Sequence, residues 1–286
     1  MKLGSVRIYA PEQWGTLEKF SKFYAHTYKL SNTGKRCVSG AQNHFHKANT
    51  LLHLANKLVP NLALDVQELN EKGFSRAANT SELSAVIESA MLELYSSVDC
   101  ARKVVTEICQ KEWKLQGVPD STRKLFKKIK DEKMVADFPE QLKVAITEAN
   151  WYEEFRVIRD ELTHQDTGNC HKDNDTGTIS YMHTGITNQG RSLIIDDIFK
   201  FLDKIFNGVN LFLGRVFAYL YTTLSDEPVR QICGIFEGRA YTRFVRPSEA
   251  IDFNGGVCAV KDALALPENP NCAFMGTCKA FENACI

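Results

Sequence analysis

Arg159, Asp160 and His164 are the side chains whose types and spacing can do chemistry. A guanidinium is a permanent planar cation suited to holding an anion. An imidazole, with an ordinary pKa of about 6.5, exchanges protons near neutrality. The segment from Glu148 to His164 predicts a helix, with Trp151, Phe155, Ile158 and Leu162 spaced as a narrow core stripe. At roughly 100° per residue the stripe centres on Ile158, so Arg156, Asp160, Thr163 and His164 fall on the opposite side, with Arg159 on its flank. Thr167-Gly168 supplies a stop, and residues 169–190 are polar and Gly-rich. The three side chains therefore sit at a helix end beside a polar loop, where a substrate or a second subunit can reach them. An ordinary surface explains the same residues differently. Arg159 would pair with Glu154 or Asp160, and His164 would sit at a helix C-terminus whose dipole favours a cation.

The elements that must position them read as mainly helical. Pro11 suits a first helical turn, and its helix continues through Trp14, Leu17, Phe20 and Tyr24. Asn32-Thr33-Gly34-Lys35 predicts a turn, followed by a helix from Ala41 to Leu58 that stops at Pro60. The clearest helix is capped by Thr80 or Ser81. It carries Leu83, Val86, Ile87, Ala90, Met91, Leu94, Val98 and Ala101 in one buried stripe and runs to around Trp113. Arg123, Lys124, Lys127, Lys128, Lys130 and Lys133 then form a basic stretch around Leu125, Phe126 and Ile129. Such a stretch is ordinarily a solvated helix face, and otherwise a surface for phosphates. A short strand at Thr178–Met182, a long apolar helix from Leu193 to Leu224 and a strand at Ala240–Val245 complete the reading.

Arg159-Asp160-Glu161-Leu162-Thr163-His164 resembles the Arg-polar-x-x-x-His motif of the HEPN superfamily, near the end of a bundle helix. Phe155 four residues before the Arg and the Gly-containing loop after the His fit the same pattern. The resemblance covers residues 80–225. It implies a HEPN-like antiparallel four-helix bundle there, with an N-terminal helical extension (1–79) and a small mixed, Cys-containing C-terminal tail (226–286). It also implies metal-independent RNA cleavage, in which the RNA's own 2′-hydroxyl attacks the adjacent phosphate. Arg159 would hold the phosphate, His164 would exchange a proton with the attacking or leaving oxygen, and Asp160 would orient one of them. Family sites are composite, so one motif per chain implies a homodimer with RNA as substrate. A toxin or antiviral role, with a neutralising protein partner, follows from the resemblance alone. Other members are non-catalytic modules that bind a nucleotide or a protein. Arg123, Lys124, Lys127 and Lys128 are the weaker candidates for RNA contact.

Composition narrows the field. In 286 residues, 35 basic side chains balance 35 acidic ones, so no global field favours nucleic acid or a membrane. No apolar run approaches the roughly 18 residues of a membrane span, and the N-terminus lacks a signal-peptide centre, so a cytoplasmic location is expected. Nine cysteines, an odd number in a chain of this size, read as reduced thiols. Cys258, Cys272, Cys278 and Cys285 are separated by thirteen, five and six residues, which misses the paired short spacings of zinc ribbons. His44-Phe45-His46 and Cys170-His171 read as packing or surface residues rather than metal half-sites. Asn254-Gly255-Gly256 lacks the Lys-Ser/Thr of a phosphate loop, and no Gly-x-Ser-x-Gly elbow occurs. No cofactor is expected.

Overall fold

A computed structural model describes residues 7–8, 14–173, 175–188, 191–236, 238–264, 272 and 274–284. The chain is mainly helical, with two small antiparallel sheets. It divides into two compact units: Ser31–Val216, and Met1–Leu30 together with Phe217–Ile286.

The contiguous unit is built on α4 (Ala78–Glu107), against which α2 (Asn32–Leu58), α3 (Leu62–Lys72), α5 (Thr122–Lys130) and α7 (Tyr152–His164) all pack. Of the stripe read from the sequence, Leu83, Ile87, Ala90, Met91, Leu94, Val98 and Ala101 are fully buried, and Val86 at its edge is half-buried. α2, which packs along α4, buries Gly34, Val38, Ala41, Ala48 and Ala55. Ala41, Ala48 and Ala55 recur every seven residues, and small side chains on that period let two helices lie close along their length. Gly40 shows how close, since a Cβ there would stand 2.9 Å from Cys100 Sγ.

Two expected boundaries are corrected here. Asn32-Thr33-Gly34-Lys35 opens α2 instead of forming a turn, because the Ser31 hydroxyl accepts the Gly34 N–H at 3.1 Å and caps the helix. α4 is capped by Asp65 of α3, not by Thr80 or Ser81. Its two oxygens take the backbone N–H and side chains of Asn79 and Thr80 at 2.7–3.2 Å. Burial alone would raise the Asp65 pKa; those four hydrogen bonds together outweigh it and hold the carboxyl below its ordinary value. At its far end α4 widens into a π-turn at Ile108–Glu112 and stops at Trp113.

After α6 (Glu140–Thr147) and α7, the chain forms β2 (Asn169–Lys172), β3 (Ile179–Asn188) and β4 (Arg191–Ile195), a three-stranded antiparallel sheet in that order. Thus Leu193–Ile195, expected to begin the long apolar helix, is a strand, and α8 runs from Ile198 to Thr222. Within the contiguous unit α8 packs aromatic side chains against three neighbours. Phe206 stacks on Phe45 of α2 at 4.5 Å, and Phe212 meets Phe126 of α5 and Trp151 beside α7. Gly208 admits the indole, for a Cβ there would lie 2.4 Å from Trp151 Cδ1.

The other unit joins both ends of the chain. β1 (Arg7–Ile8), β5 (Val229–Phe236), β6 (Arg239–Val245) and β7 (Val257–Cys258) form an antiparallel sheet in the order β1-β5-β6-β7. Its core sets Phe23 of α1 (Thr16–Phe23) against Val229, Val245 and Ala250, with Trp14, Tyr221 and Leu224 packed around them. The strand expected at Ala240–Val245 is β6. Two short helices, α9 (Lys261–Leu264) and α10 (Lys279–Asn283), complete the unit. Pro11 and Cys285 lie outside the described residues.

Candidate functional site

α7 is a thirteen-residue helix with Glu153 and Glu154 in its first turn and His164 in its last, the charge order a helix dipole favours. Of the expected stripe, Phe155 and Ile158 are fully buried and Trp151 nearly so, while Leu162 in the last turn is half-buried. Tyr152 anchors the start: its ring stacks on Phe126 of α5 at 3.8 Å and its hydroxyl lies 3.0 Å from that of Tyr95 on α4. Burial raises both tyrosine pKa values, so the pair stays neutral.

A ladder of charges runs along α7 from this anchor. Arg156, which the helical wheel set on the outward side, is 9% exposed and therefore buried. It is compensated on both sides: its Nη2 donates to Glu153 Oε1 at 2.5 Å and its Nη1 to Asp160 Oδ2 at 2.6 Å. The bond to Glu153, then that to Asp160, raises the Arg156 pKa against the opposing effect of burial. The other oxygen of Asp160 accepts Arg159 Nη1 at 2.9 Å, so one carboxylate bridges two arginines. Arg159 Nη2 stands 3.6 Å from Asp99 Oδ2, and its guanidinium lies 4.3 Å from the centre of the Tyr95 ring, a cation–π contact. Asp99 is itself held by the Thr122 hydroxyl, which accepts Arg102 Nε at 3.2 Å. Arg159 is thus clamped between two acids over an aromatic face.

His164, the last residue of α7, is exposed, and its imidazole forms no hydrogen bond or ion pair among the described residues. Five helical residues separate it from Arg159, which means about 7.5 Å of rise and roughly 140° of rotation. In one chain the structure therefore sets Arg159 against α4 and His164 on a different face, toward the loop. That loop is moored. Gly168 N–H donates to Glu88 Oε1 of α4 at 2.7 Å, and the Tyr181 hydroxyl of β3 donates to the same oxygen at 2.8 Å. Fully buried His183 contacts the Asp166 carbonyl through Nε2 at 3.0 Å and accepts the Gly185 N–H at Nδ1.

Arg123, Lys124 and Lys127 are exposed on α5, whereas Lys128 is half-buried and donates to the Gly117 carbonyl at 3.0 Å. The bond from Arg156, followed at longer range by the charges of Arg123 and Lys130, depresses the Glu153 pKa, with burial opposing. The basic face of α5 therefore belongs to the start of α7, roughly 16 Å along the helix from His164. Tyr95 and Asp99 are the site residues that sequence reasoning missed; Tyr95 is buried and Asp99 half-exposed on α4, and no local pattern marks them as partners of Arg159. In His44-Phe45-His46 and Cys170-His171, three residues hold the fold while His46 and His171 are exposed. His44 pairs with Glu93 at 2.6 Å, Phe45 packs on Phe206, and buried Cys170 donates its N–H to the Ser84 hydroxyl.

Comparison of the chain with protein families, with curated proteins and with solved structures returns no match. No helix among the described residues is long and apolar enough to cross a membrane.

Proposed function

We propose that the chain is a HEPN-like, metal-independent endoribonuclease whose working site is completed by a second copy. The observation that carries this reading is the exposed His164 imidazole, without a polar partner, at the end of the same helix that holds Arg159 rigidly over Tyr95. A group kept for packing or pairing would be engaged; this one faces solvent beside a moored loop. Because Arg159 and His164 of one chain occupy different faces of α7, a second α7 is needed to present an imidazole opposite a guanidinium. Within residues 80–225, the packing of α5 and α7 on α4 and the aromatic contacts of α8 with Phe126 and Trp151 are in keeping with the bundle that the resemblance implies.

In the reaction, the 2′-hydroxyl of the RNA attacks the neighbouring phosphorus as the bond to the 5′-oxygen breaks. His164 transfers a proton at one of these oxygens, and the remaining N–H donors of Arg159 hold the phosphoryl oxygens as charge builds. Asp160 acts through the arginines as a positioning residue. The products are a 2′,3′-cyclic phosphate and a 5′-hydroxyl. A cytoplasmic toxin or antiviral effector, restrained by a neutralising partner, is the setting the resemblance implies.

A second reading has an observation of its own. Asp160 and Asp99 offset the charge of Arg159, as suits a non-catalytic module that binds a nucleotide or a protein partner. Incubation of the purified protein with mixed RNA in EDTA separates the two. Cleavage to cyclic-phosphate ends, lost in His164→Ala and Arg159→Ala with folding and self-association intact, is the expected result. His164→Ala is the cleaner variant, since it removes no contact of the fold. Absence of cleavage across RNA classes would leave the binding module, and cleavage surviving both substitutions would refute the site.

A further inference from the structure

Four cysteines scattered in the sequence converge on one cavity of the discontinuous unit. Cys233 lies on β5 where its register with β6 shifts between Ile232 and Gly234, and such a bulge re-aims a side chain out of the regular alternation. Cys258 of β7 pairs across the sheet with Arg243 of β6. Cys272 comes from the turn that follows α9, and Cys278 occupies the residue before α10. All four line one small, partly open cavity of about 20 Å³, room for a single small guest.

The surroundings suit thiolates bound to a cation. Metal binding takes cysteine sulfurs as thiolates, each giving up its proton to solvent. Arg243, 2% exposed, borders the same cavity and is fixed by donating Nη1 to the carbonyls of Phe253 and Gly255. Its charge partly balances the double negative charge of a dication held by four thiolates. The Phe274 N–H points at the Cys272 sulfur, an outer-shell hydrogen bond of the kind that steadies metal-bound sulfur. Among the described residues no three ligating side chains are already arranged to hold a metal, so binding requires the thiols to turn toward a common point.

We propose that Cys233, Cys258, Cys272 and Cys278 bind one zinc ion as a four-sulfur structural site that ties β5, β7 and the segment before α10 together. Binding forms four Zn–S bonds and releases up to four thiol protons to solvent, with no change of oxidation state. An ion with no redox chemistry, fully enclosed by sulfur, suits a structural role. The site uses Cys233 in place of Cys285, so the zinc-ribbon spacing test applied to the last four cysteines could not detect it.

The test uses the full chain purified under reducing conditions without chelator. Elemental analysis should find one zinc per chain, reduced to background in Cys272→Ser and Cys278→Ser and retained in Cys109→Ser, which lies in the other unit. Cobalt exchanged into the wild-type protein should give tetrahedral visible bands with strong sulfur-to-cobalt charge transfer. Both wild-type readings are independent of whether a variant folds. Protein lacking zinc that also fails to take up cobalt overturns the proposal. So does a different resident metal, a cobalt spectrum of nitrogen and oxygen ligands, or zinc retained by both serine variants.

Discussion

Replacing Glu88 by alanine tests how the loop beyond His164 is held. Glu88 is 8% exposed, and its Oε1 is the common acceptor for Gly168 N–H at 2.7 Å and the Tyr181 hydroxyl at 2.8 Å. Tyr181 is fully buried, so water cannot readily replace the carboxylate. A buried donor left unsatisfied costs about 1–3 kcal/mol, so two of them cost about 2–6 kcal/mol. Against the roughly 5–15 kcal/mol of a typical folded domain, that is a large fraction. Glu88→Gln keeps an acceptor oxygen in place and should recover most of the loss. Urea unfolding of the three proteins gives the stabilities, and amide exchange at Gly168 and Cys170 reports the loop directly. The reasoning fails if Ala costs under about 1 kcal/mol, or if Gln and Ala are equal within about 0.5 kcal/mol, since either result would mean that the shared acceptor carries no stability.

Gly208→Ala should destabilise the protein by about 1–3 kcal/mol and alter Trp151 fluorescence, because the new methyl must displace the indole. Gly214→Ala in the same helix meets nothing within 4 Å and should instead stabilise by roughly 0.5–1 kcal/mol in thermal melts. Asp65 supplies a pH test: its folded pKa is depressed, so its contribution is fully present above the unfolded value and is lost as pH falls through the folded one. The stability gap between wild type and Asp65→Asn should therefore shrink on acidification below about pH 4, and a gap independent of pH would refute the cap.

Local pattern carried the helices whose apolar residues repeat without interruption. Leu83 to Ala101 and Phe155 to Ile158 are buried as their spacing requires. It failed where one short signal has two meanings. Asn32-Thr33-Gly34 has turn composition, yet Ser31 makes it a helix start. Leu193-Ile194-Ile195 is too short for period to separate strand from helix, and pairing with His183, Met182 and Tyr181 decides it. Arg159, Asp160 and His164 were visible as a motif. The burial of Arg156 and the contacts of Arg159 with Tyr95 and Asp99 were not, because they depend on where α4 and α5 pass α7. Cys233 was illegible as a companion of Cys258 for the same reason, since the hairpin of β5 with β6 and the pairing of β6 with β7 bring them to one cavity.

The division of the chain has a consequence for its synthesis. Ser31–Val216 is contiguous, and its helices find their partners as soon as they have been made. The other unit is split, for Phe23 belongs with Val229, Val245 and Ala250, and Arg7–Ile8 pairs with Ile235 and Gly234. While the chain is growing, the first helix therefore waits with its apolar face uncovered until β5 and β6 arrive. That long closure slows the unit and exposes it to misassociation. A nascent chain stopped between Val216 and Val229 would carry a finished helical unit and an orphaned amphipathic α1, a natural handle for chaperones or proteases that survey incomplete products.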